Sequence, residues 1–314
     1  MAAALSSVSV PQRRLGLELS PLWFRRVARV AVGVLVLIVA SGATVRLTGS
    51  GLGCPAVTVD LSACVKAYGA RGYHAEIEYF NRCASGLTVL GALALAVAAW
   101  RTRGIGRRAK LLAVGVFVAT LGQAPLGALT VHYDLPPYLV IPHLLLALTA
   151  LGLGVVALLE ADRAVEGGGE PLPRVARVGG GALLAAVTVL VVSGALSTAA
   201  GRFPGASDTT VAPRIWDFYS AVYWHVRAVA VFGVVFLALA AWAWQRRERF
   251  PWLVRGCVVL LAVLLAQMAM GEVQYREYGT VPWGVVALHV TLAAALFGWT
   301  VGLVARLWRP VERH

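Results

Sequence analysis

Apolar residues in this chain fall into runs of roughly 20, separated by short polar or basic turns. A helix rising 1.5 Å per residue needs about 20 apolar residues to cross a ~30 Å hydrocarbon layer. In lipid the backbone must bond to itself, so each run predicts a transmembrane helix. Eight spans are expected, over residues 27–45, 77–100, 111–131, 138–159, 178–199, 218–244, 257–273 and 282–307. A membrane β-barrel would instead show short alternating segments.

The pattern repeats. Ile38-Val-Ala-Ser-Gly-Ala-Thr in span 1 matches Leu190-Val-Val-Ser-Gly-Ala-Leu in span 5. Gln123-Ala-Pro-Leu-Gly-Ala-Leu in span 3 matches Gln267-Met-Ala-Met-Gly-Glu-Val in span 7, and residues 137–143 are echoed by 283–289. Each half is thus a four-span unit of the same orientation, like the parallel repeats of some transporters. The Ser41-Gly42 and Ser193-Gly194 pairs read as small-residue helix packing. The expected fold is all-α integral membrane, with eight transmembrane helices as two pseudo-symmetric four-helix bundles. Its parts are a tail (1–26), a first half (27–160), a linker (161–175) holding three consecutive glycines, a second half (176–308) and a tail (309–314).

Composition agrees with lipid as the solvent. Hydrophobic residues make up 59% and charged residues only 14% of the chain, against about 25% charged in soluble domains; mean hydropathy is +0.75. The net charge of +13 reads as topology, with no nucleic-acid role. With the N-terminus in the cytoplasm, 20 of the 28 Lys and Arg residues fall inside, so both termini are expected to be cytoplasmic. The 27–45 run, behind a long basic tail and ahead of seven more spans, reads as an anchor and not as a cleaved signal.

Three of the six histidines lie in spans: His143, His225 and His289. An ionisable residue inside a membrane is a functional candidate, because leaving it unpaired in hydrocarbon is costly. His225 and His289 sit near the outer ends of spans 6 and 8, where they can face each other across the second bundle. Two imidazoles on facing helices are a common way to hold haem iron. In the first half the counterpart of His225 is Asn81, a poor iron ligand, so only His143 would ligate there and one iron face would stay open. Glu78, one turn before Asn81, is either a proton-transfer or charge-stabilising group or a partner of Arg82. His74 and His132, in outer loops, read as solvated. Cys54 and Cys64 lie on the oxidising side and are expected to form a disulfide; Cys83 and Cys257 read as packing residues.

Together, Thr48-Gly-Ser-Gly-Leu-Gly-Cys-Pro, the loop cysteines, Ile77-Glu-Tyr-Phe-Asn-Arg and the ordered span histidines resemble the haem A synthase family over nearly the whole chain. The resemblance implies oxidation of the C8 methyl of haem O to the formyl of haem A, for cytochrome oxidase. It implies haem b on His225 and His289, and a substrate haem in the first half with His143, Asn81 and Arg82 around it and Glu78 as the catalytic group. It implies a plasma-membrane location and haem O, membrane lipid, haem O synthase and cytochrome oxidase assembly proteins as partners. The electron donor and a homo-oligomeric state stay open. The family often has His where Asn81 stands, and its loop usually reads Cys-Pro-x-Trp-Pro-x-Cys, with closer cysteines and a Trp that is missing here. A membrane b-type cytochrome without substrate chemistry and a duplicated-repeat transporter are the competing readings.

Overall fold

The computed structural model describes residues 18–54, 60–68, 72–203, 205 and 214–312. Residues 1–17 of the expected tail, Pro55 of the loop motif, and Arg313 and His314 lie outside the described residues. Among those described, the chain is helical without strands, in the order α1 (Pro21–Leu47), α2 (Leu61–Tyr68), α3 (Gly72–Arg101), α4 (Arg107–His132), α5 (Pro137–Glu166), α6 (Arg174–Ala200), α7 (Phe218–Trp244), α8 (Pro251–Arg276) and α9 (Trp283–Trp308). All but α2 are long and apolar enough to span a membrane. At 26 to 30 residues these helices are about 40 Å or more in length, so their ends pass beyond the hydrocarbon. This is an eight-span, all-α integral membrane protein.

α1, α3, α4 and α5 pack as a closed ring. Its interior holds Phe24, Leu35, Leu95, Val116, Leu148 and Leu151. α6 to α9 enclose a second core around Leu183, Phe232, Phe236, Leu260 and Leu307, with Cys257 among them. In this second ring α7 and α8 touch least. The rings meet where α9 lies against α1 and α5. Small residues let these helices close up: Gly152 faces the Phe297 ring, and Gly298 faces Leu151 and Val155.

The polar run after span 4 is less of a linker than its composition suggests. α5 continues through Glu166, and only residues 167–173 are non-helical. The extra turns carry acids that gather cations from three other elements. Glu160, only 8% exposed, meets Arg108 at 3.2 Å and Arg309 at 2.6 Å. Glu166 meets Arg25 at 2.7 Å, and Asp162 lies 3.6 Å from Arg29. Helix propensity and this clamp together keep the backbone helical past the apolar stretch.

Candidate functional site

The loop leaving α1 is shaped by its glycines. Gly49 takes a left-handed φ of 73°, which glycine adopts without steric cost. Around it, Ser50 N–H bonds to the Val45 carbonyl and Gly49 N–H to the Arg46 carbonyl, the paired bonds of a Schellman helix end. The turn buries Ser50 completely. Its hydroxyl meets Thr48 Oγ1 at 2.8 Å and His74 Nδ1 at 2.9 Å. Gly53 then runs so close to α3 that a Cβ there would sit 2.6 Å from the His74 carbonyl oxygen.

That approach builds a pocket for Glu78, which is 4% exposed. Cys54 N–H donates to Glu78 Oε2 at 2.7 Å, and Arg82 Nη2 donates to Glu78 Oε1 at 2.6 Å and to the Cys54 carbonyl at 3.2 Å. Cys54 is disulfide-bonded to Cys64, with Cα atoms 4.4 Å apart. Cys64 sits on α2, whose first turn is capped by Asp60: Ser62 N–H and Oγ donate to its two carboxylate oxygens at 2.8 and 3.0 Å. The Ser62 bonds hold the Asp60 carboxyl below the usual carboxylate range. The disulfide, the short helix and the glycine loop thus fix one N–H and one C=O onto the Glu78–Arg82 pair.

The span histidines follow the repeat in detail. In the second half, Ser193 Oγ lies 3.0 Å from His225 Nδ1, and a Cβ on Gly194 would meet His225 Cε1 at 3.1 Å. Gln267 Nε2 donates to the His289 carbonyl at 3.0 Å, and Gly271 faces the same ring. The first half repeats both arrangements. Ser41 Oγ donates to Asn81 Oδ1 at 2.8 Å; Gln123 Nε2 donates to the His143 carbonyl at 3.2 Å, with Gly127 against the His143 ring. The smaller Asn81 leaves Gly42 without a neighbour within 4 Å of a built Cβ. The Ser193-Gly194 pair therefore supports residue 225, and in the first half Ser41 alone supports residue 81.

His225 and His289 line one cavity of about 730 Å³, within the 300–1,000 Å³ usual for small-molecule sites. Its walls are mainly apolar, with Leu190, Val226, Leu264 and Leu296 from the second ring and Val39, Leu144 and Leu148 from the first. Tyr219, Tyr223, Tyr275 and Tyr278 line its α7–α8 side, and Phe218 stacks on Tyr278 at 3.9 Å. Ser193 engages Nδ1 of His225, so the nitrogen left for a ligand is Nε2; such a bond fixes ring orientation. His289 Nδ1 is buried without a partner. An apolar slot with an imidazole from each of two facing helices fits a flat macrocycle with a central metal. Among the described residues no three His, Cys, Asp or Glu converge on a point, as a zinc site would require.

The structure joins Glu78, Arg82 and Cys54, and brings His225 and His289 to one cavity. It does not link His143 by a hydrogen bond to Asn81 or Glu78; His143 Nδ1 is buried without a partner. Two sequence readings need correction. His74 is not a solvated loop residue: α3 starts at Gly72, and the side chain is 4% exposed. Cys83 is not in a core but exposed on α3, whereas Cys257 is buried. His132 lies exposed at the end of α4, as expected. A buried His bonded to a buried Ser was the signal missed, and only the loop fold reveals it.

Residues 71–301 match the profile of a family described as cytochrome oxidase assembly protein. Two relatives are each described as heme A synthase. The one from Geobacillus kaustophilus (strain HTA426) is 26% identical over 287 residues, covering 88% of this chain and 86% of the relative. The one from Bacillus licheniformis is 25% identical over 294 residues, covering 89% and 95%.

Proposed function

The chain belongs to the family of cytochrome oxidase assembly proteins, and on that premise we propose that it oxidises the C8 methyl of haem O to the formyl of haem A. The observation that carries this reading is the unequal repeat: two Ser-supported positions, one holding His225 and the other Asn81. In the second half His225 and His289 hold haem b, which when bound supplies electron transfer. In the first half His143 binds the substrate haem on one side, and Asn81 leaves the other open. Openness on one side suits a substrate that must react and leave.

The methyl-to-formyl change is a four-electron oxidation of a single carbon. It is balanced either by water as the oxygen source, with an external acceptor taking the four electrons and four protons released, or by dioxygen, which supplies the oxygen atom and whose other atom leaves as water. Glu78 is the catalytic group, accepting or stabilising positive charge at its carboxylate. Arg82 and the Cys54 N–H orient that carboxylate, one on each oxygen. A preset pair of donors means the group need not reorganise during reaction. Residues 27–160 form the substrate half and 176–308 the haem b half. Both termini face the cytoplasm of a plasma-membrane protein, because the end carrying Arg25, Arg29, Arg108 and Arg309 holds the basic turns.

The test is pigment analysis in a host that makes haem O. The wild-type chain should yield haem A. Glu78→Gln should abolish haem A while keeping the low-spin haem b spectrum, and His225→Ala or His289→Ala should remove that spectrum. Normal haem A from the Glu78 variant, or a low-spin spectrum surviving both His variants, would overturn these roles.

A further inference from the structure

The outer junction of the two halves holds two cations that the proposed reaction does not use. Arg46 ends α1, and its Nη2 donates to the Thr198 carbonyl of α6 at 2.5 Å. Its Nε is buried without a partner, as is Nη2 of Arg214, just before α7. Arg214 lies close enough for its charge to bear on Arg46. Among the described residues no carboxylate pairs with either. Burial holds the Arg214 guanidinium below its ordinary value. Two neighbouring guanidinium groups with buried, unused N–H donors are costly unless an anion completes them.

Their position says which anion. Thr198, which accepts from Arg46, lines the cavity of His225 and His289; so do Leu47, next to Arg46, and Tyr278, beside Arg214. The guanidinium groups therefore stand at the outer rim of an apolar slot. A ligand with an apolar ring and carboxylates on one edge satisfies both regions. Guanidinium is the side chain best matched to a carboxylate, through paired N–H donors.

We propose that Arg46 and Arg214 form a carboxylate receptor at the seam between the halves, taking a propionate of a bound porphyrin. This rests on the haem reading above. The propionate belongs either to the haem held by His225 and His289 or to the substrate haem of the first half.

The experiment titrates detergent-solubilised protein, made without haem, with haem and with its dimethyl ester, whose propionates carry no charge. Soret absorbance reports binding. Wild-type protein should bind the ester about tenfold or more weakly, the scale of a charge-assisted hydrogen bond. Arg46→Gln and Arg214→Gln should weaken haem and leave the ester unchanged, removing the preference; Arg46→Lys, which keeps the charge, should retain part of it. If the loss follows the low-spin band, the second-half haem is held. If that band stays and haem O titrates more weakly, the substrate is held. Equal binding of haem and ester by wild-type protein overturns the receptor and leaves the haem reading standing. Binding of neither pigment overturns both. Because that comparison needs no variant, misfolding of an Arg variant does not blunt it.

Discussion

Arg82→Gln should destabilise the protein more than Glu78→Gln, although both cut the same 2.6 Å ion pair. The asymmetry comes from burial. The Glu78 side chain is 5% exposed and that of Arg82 20%. Removing Arg82 strands a buried carboxylate without its cation, held by backbone N–H groups such as that of Cys54, and breaking a buried pair in this way costs about 3–5 kcal/mol. Replacing Glu78 by Gln keeps an oxygen for Cys54 N–H and leaves the more exposed Arg82 on the Cys54 carbonyl. That loss should be nearer 1–2 kcal/mol, the scale of one hydrogen bond. The double variant places two neutral amides side by side and should be more stable than Arg82→Gln alone. Apparent unfolding midpoints of the four proteins in one detergent measure this. Equal losses for the two single variants, or a double variant at the sum of both, would refute the argument that the carboxylate is the more deeply committed partner.

Ser193→Ala removes the bond to His225 Nδ1 and should weaken haem in the second half about tenfold, read by Soret titration, whereas Ser41→Ala should leave that titration unmoved. Asn81→His places an imidazole where Ser41 can bond its ring and the space beside Gly42 can take it. It should raise the low-spin haem per protein and lower haem A output; unchanged spectra would contradict the proposed equivalence with His225. Because Ser62 lowers the Asp60 carboxyl, the cap's contribution to α2 is full above the ordinary carboxylate range and lost as pH falls through the lowered value. The protection factors of the Ser62 and Cys64 amides, with the intrinsic pH dependence of exchange divided out, should fall in acid, and Asp60→Asn should flatten that response.

The long apolar runs made the eight spans legible, and the repeat made the paired histidines legible. What escaped was structure set by tertiary partners. α3 begins at Gly72, ahead of the apolar run expected from Ile77, because His74-Ala-Glu is polar in sequence; in the fold His74 is covered by Ser50 and Gly53 and Ala75 by the Cys54–Cys64 pair, while Glu76 stays exposed. α2 is too short for periodicity to declare, although Asp60 ahead of Leu-Ser-Ala is a helix-start signal. The run 160–166 looked like the start of a linker because it is polar and leads into three glycines; the partners that keep it helical, Arg25, Arg29, Arg108 and Arg309, are distant in sequence. Cys83 looked interior because hydropathy does not say which face of a span meets lipid. For the candidate site, residue types were readable but supports were not: Ser193 and Ser41 were visible as a motif, and only their contacts show that they hold side chains 225 and 81.

The acid cluster on α5 also carries a statement about time. Arg25 and Arg29 are made before Glu160, Asp162 and Glu166, and so is Arg108. Arg309 is made 149 positions after Glu160, once the last helix is complete. A ribosome therefore leaves this knot half tied through the whole synthesis of the second ring, and the carboxyl end of the newborn chain draws it shut.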